Sequence, residues 1–331
     1  MSKTSKSPLA VARAAMRVAC RALPPYSHRF SPKKFSQPQL FAVITLKVFF
    51  KTDFRGITKL LCDMPSLRRA IKLKTVPHYT TIHKAFTRLL TASASLNLLH
   101  TTARIALGNR THVELAAIDS TGLESGHISP YFIKRRSQCL KTRQNTQLTP
   151  CPKMAIIAET EKHVVLSVFT THGPSSDSGH FRDAVALLPP EMKIKKLLAD
   201  AGYDSEASHQ WANEVCGIKT VIPPKIGTPT ASLPKKPYRR QMATNFDSKS
   251  YRRRWQVETV FSMIKRNLGY ATRSRLEYNR SSEMYMLAIT HNLMVIYLLM
   301  SFSTEQKFTI SGQRRYRRWL PSRRIWRGSL L

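Results

Sequence analysis

Apolar positions change their period part-way along the chain. Up to about residue 92 they recur in helical fashion, and from residue 113 short apolar runs take over. Residues 38–50 (PQLFAVITLKVFF) predict an apolar helix with Pro38 near its start. DFRGITKLLCD and PSLRRAIKL predict two short helices. Pro77 then punctuates, and YTTIHKAFTRLL predicts another, capped by Thr80 or Thr81.

The next segment reads as strands. HVELAAID predicts a strand ending in Asp119, followed by an irregular stretch over 120–150 rich in Lys, Arg and Thr. KMAIIAET and KHVVLSVFT predict a hairpin closed at Glu161-Lys162. FRDAVALLP predicts a short helix, KIKKLLAD a strand ending in Asp200, SEASHQWANEVC a helix and IKTVIPP a strand. Residues 225–249 read as a Pro/Lys-rich loop before a helix carrying Glu258 and an apolar helix from 284. Hairpin-joined strands followed by βαβ units imply an α/β fold, a mixed sheet covered by helices. The apolar segment 284–302 approaches the length of a membrane span. His291 and Asn292 in its middle favour a buried core helix instead.

Charge narrows the choice of partner. The chain carries 54 Lys and Arg against 19 Asp and Glu, a formal net charge of +35, and no acid precedes Asp53. That field favours nucleic acid, with a membrane surface as the rival. At 331 residues and 42% hydrophobic the chain can bury a real core, which sets it apart from short basic ribosomal-type proteins. Residues 1–34 read as a basic flexible arm. Within it LAVARAAMRVACRAL spaces Arg13, Arg17 and Arg21 by four, as a transit peptide does, but a basic amphipathic helix or arm against DNA is the preferred reading. Residues 35–110 form a helical region in which His83, Lys84 and Arg88 suit a helix-turn-helix-like unit for double-stranded DNA; a plain supporting bundle is the rival. Residues 111–302 form the α/β unit, and 303–331 a basic tail whose QRRYRRWLPSRRIWR interleaves Arg with aromatics. Five scattered cysteines without CxxC fit a reducing compartment and no zinc ribbon, and neither HExxH nor GxxxxGK occurs, so no NTP is expected. His163, His172 and His180 read as loop or edge residues.

Candidate chemistry centres on YRRRWQVETVFSMIK. On a helix, Arg254, Glu258 and Lys265 return to one face at about 100° per residue, with Tyr251 about 60° to the side. A carboxylate between cations, plus Asp119 and Asp200 at strand ends, makes three oxygen donors suited to Mg²⁺ or Mn²⁺. Adjacent parallel strands bring two such carboxylates to one sheet edge. Two ions there serve in-line phosphoryl transfer, with Arg254 and Lys265 facing phosphate oxygens. The plainer readings are an i,i+4 pair of Glu258 with Arg254, a cap for Asp204, a turn or cap for Asp177, and core packing for Trp255 and Phe261.

From about residue 113 to 302 the chain resembles insertion-sequence transposases with a DDE triad and an RNase H-like fold. The resemblance lies in AAIDST, ADAGYDS and the complete Tyr-x2-Arg-x3-Glu-x6-Lys pattern, with Asn292 as a further recurrent feature. It implies that Asp119 bridges two metal ions, that Asp200 and Glu258 each complete one site, and that Tyr251, Arg254 and Lys265 position the transposon-end strand. It implies nicking at terminal inverted repeats, transfer of the 3′-hydroxyl into target DNA, a homo-oligomer pairing two ends, and a cytoplasmic, nucleoid-associated bacterial setting without a membrane or NTP. A catalytically silent DNA-binding descendant and a nuclease of the same fold are the competing readings. The segment of about 25 residues before the Glu258 helix is too short for the β-rich insertion used by relatives that form DNA hairpins, which leaves the route of second-strand cleavage open.

Overall fold

The computed structural model describes residues 4–125, 151–173, 175–225 and 233–296. Its frame is a five-stranded sheet built from β1 (His112–Gly122), β3 (Cys151–Glu159), β4 (Val165–Gly173), β5 (Lys193–Leu198) and β6 (Lys219–Val221), ordered β4-β3-β1-β5-β6. β1 pairs antiparallel with β3 and parallel with β5; β3–β4 is antiparallel and β5–β6 parallel. A hairpin-linked half joined to a parallel half through a central first strand is the RNase H-like arrangement, as expected. A two-stranded parallel ladder, β2 (Glu124–Ser125) with β7 (Ala271–Thr272), lies apart from it.

The interior strands are apolar on both faces because helices cover both. In β1, Ala116, Ala117 and Ile118 are consecutive and buried, and in β3 the burial is continuous over Met154–Ala158. The β3–β4 hairpin closes as predicted. Glu159 takes the N–H groups of Glu161 at 2.8 Å and Lys162 at 2.6 Å on its carboxylate, and His163 turns the chain at φ 60°. The segment between β4 and β5 holds α7 (Phe181–Ala186), and that between β5 and β6 holds α8 (Glu206–Gln210), which runs on into a π turn at Trp211–Val215.

Six helices precede the sheet: α1 (Pro8–Ala22), α2 (Gln37–Phe49), α3 (Phe54–Asp63), α4 (Pro65–Ala70), α5 (Tyr79–Leu89) and α6 (Ala92–Ala106). The flexible arm expected over 1–34 is corrected over its helical part. Ser7 caps α1, and Ala10, Val11, Ala14, Ala15 and Val18 are buried against α2 and α6, while Arg13, Arg17 and Arg21 stay exposed. The alanines let the helices approach closely, and a charge count does not register that. α2 opens with a full capping box between Ser36 and Gln39. α5 is capped by His78 rather than by Thr80 or Thr81. α6 had no counterpart among the predicted helices, although its buried Ser95, Leu98, Leu99, Thr102, Ala103 and Ala106 keep helical spacing. His83, Lys84 and Arg88 are exposed on α5.

The expected loop over 225–249 contains α9 (Pro237–Thr244) and, at its end, α10 (Ser248–Tyr251). Pro237 in the first turn starts one helix and Asp247 caps the other, so the Pro and polar content that suggested a loop marks helix starts. α11 (Trp255–Leu268) follows, and α12 is helical from 277 to 296, with Met284–Ile289 and Leu293–Ile296 buried. No described helix is long and apolar enough to cross a membrane. The expectations for most of 120–150, for the end of the apolar run to 302 and for the 303–331 tail lie outside the described residues.

Asn292 explains how the edge strand is sealed. β4 is terminal in the sheet, so its outer backbone groups need partners. The Asn292 carboxamide accepts from Val165 N–H at 2.8 Å and donates to Val165 C=O at 2.8 Å and Thr102 Oγ1 at 3.1 Å, all buried. We predict that Asn292→Leu lowers stability by about 2–4 kcal/mol, since it leaves both Val165 groups unpaired. Urea denaturation reads this directly, and a loss within about 0.5 kcal/mol would contradict the sealing role.

Candidate active site

The register of β1 against β5 places two carboxylates side by side. Ala117 pairs with Leu198, and Asp119 and Asp200 each lie two residues further on. An offset of two keeps a side chain on the same face of an extended chain. The expectation that Asp119 ends its strand is corrected: β1 continues to Gly122 along β3, with Asp119 opposite Ile156. Only the parallel ladder to β5 ends before it. Asp200 does follow the end of β5. Its carboxylate caps the turn Ala201–Tyr203 by accepting Gly202 N–H at 2.8 Å. A Cβ on Gly202 would stand 2.9 Å from that Asp200 oxygen, so a larger residue there would displace the carboxylate.

Glu258 arrives from the other direction. α11 buries Val257, Val260, Phe261, Ile264 and Leu268 and packs on β1 and β3, leaving Glu258 on its flank in the first turn. The electrostatics register the convergence. Burial raises the Asp119 carboxyl from 3.8 to about 6, and nearby Asp200 and Glu258 push it the same way, while the Ser120 N–H bond and Arg254 oppose. Among the described residues no three His, Cys, Asp or Glu side chains stand as a ready cage for a metal ion. The Glu258 carboxylate is engaged by Arg254.

Tyr251 is placed differently from the expected stripe, and the plainer Arg254–Glu258 pairing is present. Arg254 and Glu258 form the i,i+4 ion pair, so Arg254 faces a carboxylate here. Tyr251 does not share the Glu258 helix, because α10 ends at Tyr251 and a turn over 252–254 separates it from α11, with Arg254 in the cap position. Tyr251 still reaches the neighbourhood. Its ring packs edge-on to Phe246 with centroids 5.0 Å apart, and its phenol senses Arg254, Asp200 and Glu258 while burial pushes its pKa up. Lys196 fixes this approach by binding Asp247 at 2.7 Å and Ser250 at 3.0 Å. Lys265 donates to Thr121 Oγ1 at 2.6 Å, two residues beyond Asp119.

Other site neighbours were not found by sequence reasoning. Asp177, read as a turn residue, accepts from Ser120 Oγ and pairs with Lys153 Nζ at 2.6 Å. Tyr203 is fully buried below them, its phenol held far above its ordinary range by burial and then by Asp177, Asp119 and Asp200. Tyr203 is within ADAGYDS, but nothing in the sequence marks Asp177. Asp204 is no helix cap, since Ser205 takes that place. Its buried carboxylate instead clamps Arg239 at 2.8 Å and Lys225 N–H at 2.8 Å, tying α9 and the chain at Lys225 to the turn after β5. Trp255 is exposed and Phe261 buried.

A family model for the transposase DDE domain matches residues 113–293, more than half of the chain and the whole span from β1 into α12. The chain belongs to the DDE-domain transposases. No curated protein matches the sequence. Among solved structures the transposase is similar to the Mos1 transposase paired-end complex with left transposon end. Identity is 9%, over 75% of this chain and 83% of that one, at a TM-score of 0.22, too slight a likeness to carry an argument.

The raised Asp119 carboxyl sets a sign for stability. Its folded value lies above the ordinary 3.8, so between about pH 4 and 6 the folded transposase binds more protons than the unfolded chain, and stability falls as pH rises through that window. Asp119→Asn removes the burden. In metal-free buffer we predict a gain on the order of 1–3 kcal/mol at pH 8 that vanishes below about pH 4. Denaturation at both pH values checks this, and an equal effect at both would contradict it.

Proposed function

We propose that this transposase is catalytically competent, that it cuts DNA at the ends of its element, and that it joins the freed 3′-hydroxyl to target DNA. The observation that carries the reading is the equal two-residue offset of Asp119 and Asp200 beyond the Ala117–Leu198 pair, with Glu258 within electrostatic reach. The donor set fits a hard divalent ion. It consists of carboxylate oxygens, and a desolvated carboxylate beside two others is relieved by a cation. Asp119, Asp200 and Glu258 would hold the ions. Two Mg²⁺ or Mn²⁺ ions bound there supply Lewis acidity and neutralise charge in an in-line phosphoryl transfer.

The chain's own residues do the positioning. Arg254 exchanges the Glu258 carboxylate for a phosphate oxygen when DNA binds, which frees Glu258 to turn toward Asp119. Lys265 and Tyr251 hold the same strand from either side of it. The helical region over 35–110, with exposed His83, Lys84 and Arg88, meets double-stranded terminal repeats, and a homo-oligomer brings two ends together. The net charge of +35 gives such binding a steep salt dependence.

A second reading has its own observation. The Arg254–Glu258 pair withholds the third carboxylate, as a catalytically silent DNA-binding descendant would tolerate. Strand-transfer assays with the native terminal repeats and Mg²⁺ separate the two. We predict that Asp119→Ala, Asp200→Ala and Glu258→Gln each lower strand transfer by about a thousandfold or more with terminal-repeat binding retained. Near-normal activity in any of them would overturn the triad. Specific binding by the unaltered chain without cleavage under any divalent metal would favour the silent reading.

A further inference from the structure

We propose that a basic cavity between α2, α11, β7 and α12 is a phosphate-binding site, distinct from the three carboxylates. The cavity is about 500 Å³, and its charged lining is Lys47, Lys51, Lys265, Arg266, Arg273 and a single carboxylate, Glu283. The size falls within the range of pre-formed ligand sites. Five cations line one hollow, and no ion pair within 4 Å among the described residues includes any of them.

Lys47 is the most telling of the five. It is 8% exposed, with its ammonium 4.7 Å from the Phe54 ring centroid and 5.8 Å from that of Phe86. Among the described residues its ammonium makes no hydrogen bond, although its backbone carbonyl accepts from Thr52 N–H. A desolvated ammonium against aromatic faces is costly unless an anion meets it. Asp53 and Glu283 attract the Lys47 ammonium from beyond ion-pair distance, and Glu283 is already engaged. Its oxygens accept from Arg273 N–H at 2.7 Å, Ser274 Oγ at 2.8 Å and Ser274 N–H at 3.3 Å, which commits it to shaping the turn before α12.

The wall is braced in advance. Lys51, at φ 54°, donates from Nζ to Arg266 C=O at 2.8 Å, and its own C=O accepts from Arg273 at 3.1 Å. Lys51 thus meets the negative end of α11, so that end does not repel an incoming anion. Lys265, in the lining, donates to Thr121 on the Asp119 strand, which links the cavity wall to the candidate active site. A phosphate has the charge to answer the unpaired cations and the oxygens to accept from several of them. On the reading under Proposed function, on which this part rests, that phosphate belongs to the backbone of bound DNA. A free phosphate compound offers the same chemistry.

Two measurements on the full chain separate these sources, using Lys47→Met and Arg273→Gln. Arg273 is exposed, so its variant remains informative if the buried substitution disturbs folding. The first measurement is duplex DNA binding by fluorescence anisotropy across a salt series. Loss of one backbone contact lowers the slope of log K against log salt by about 0.9 in each variant. The second is calorimetric titration with inorganic pyrophosphate, which needs no DNA. Binding by the unaltered chain that weakens at least about fivefold in both variants assigns the cavity to free phosphate groups. A lowered DNA slope without pyrophosphate binding assigns it to the DNA backbone. Unchanged slopes together with absent or unaltered pyrophosphate binding overturn the proposal. If the chain binds no DNA at all, the proposed function fails, and the pyrophosphate arm alone decides the cavity.

Discussion

The parallel pairing of β1 with β5 is the constraint on which the rest depends. Ala116, Ala117 and Ile118 of β1 and Leu197 and Leu198 of β5 are buried, and the backbone groups there must be satisfied by neighbouring strands, which fixes the register at Ala117–Leu198. A slip of one residue would turn Asp119 to the opposite face. With the register fixed, Asp119 and Asp200 are neighbours whatever the surrounding loops do. α11 reads the same strand from the side, because Val257, Val260, Phe261 and Ile264 seat it on β1 and β3. Each of the three acids is therefore carried by, or directly follows, a regular element packed into the core.

The charge distribution adds a second constraint. A chain of net +35 gathers acids into a small region of the sheet edge, and the cost appears in the raised Asp119 carboxyl. Arg254 relieves part of it by holding Glu258. Asp177 is likewise neutralised, by Lys153, and hydrogen-bonded to Ser120 beside Asp119. Glu258 and Asp177 each have their own cation, Asp200 is held by the Gly202 N–H, and Asp119 bears the desolvation.

Much of this was legible in the sequence because it rests on local pattern. Apolar runs predicted the five sheet strands, a tight turn predicted the hairpin, and the family's DDE domain was recognised from ADAGYDS and the Glu258 helix. Boundaries that depend on tertiary packing were not legible. α1 is held by alanines buried against α2 and α6, so its arginines suggested an arm although its other face is core. Tyr251 looked helical with Glu258 because the spacing fits, yet the turn at 252–254 separates them. Asp177 and Asp204 owe their partners to residues 24 and 35 positions away along the chain, and no local pattern encodes such a pairing.

The central claim is that Asp119, Asp200 and Glu258 together hold divalent cations once Glu258 leaves Arg254. Manganese binding tests it most directly. The account predicts that Mn²⁺ titrated into the full chain at pH 8, followed by electron paramagnetic resonance, binds saturably, and that Asp119→Asn abolishes the binding. It also predicts that Arg254→Gln, by releasing Glu258, tightens Mn²⁺ binding in the absence of DNA. Unchanged Mn²⁺ binding in Asp119→Asn would contradict the account.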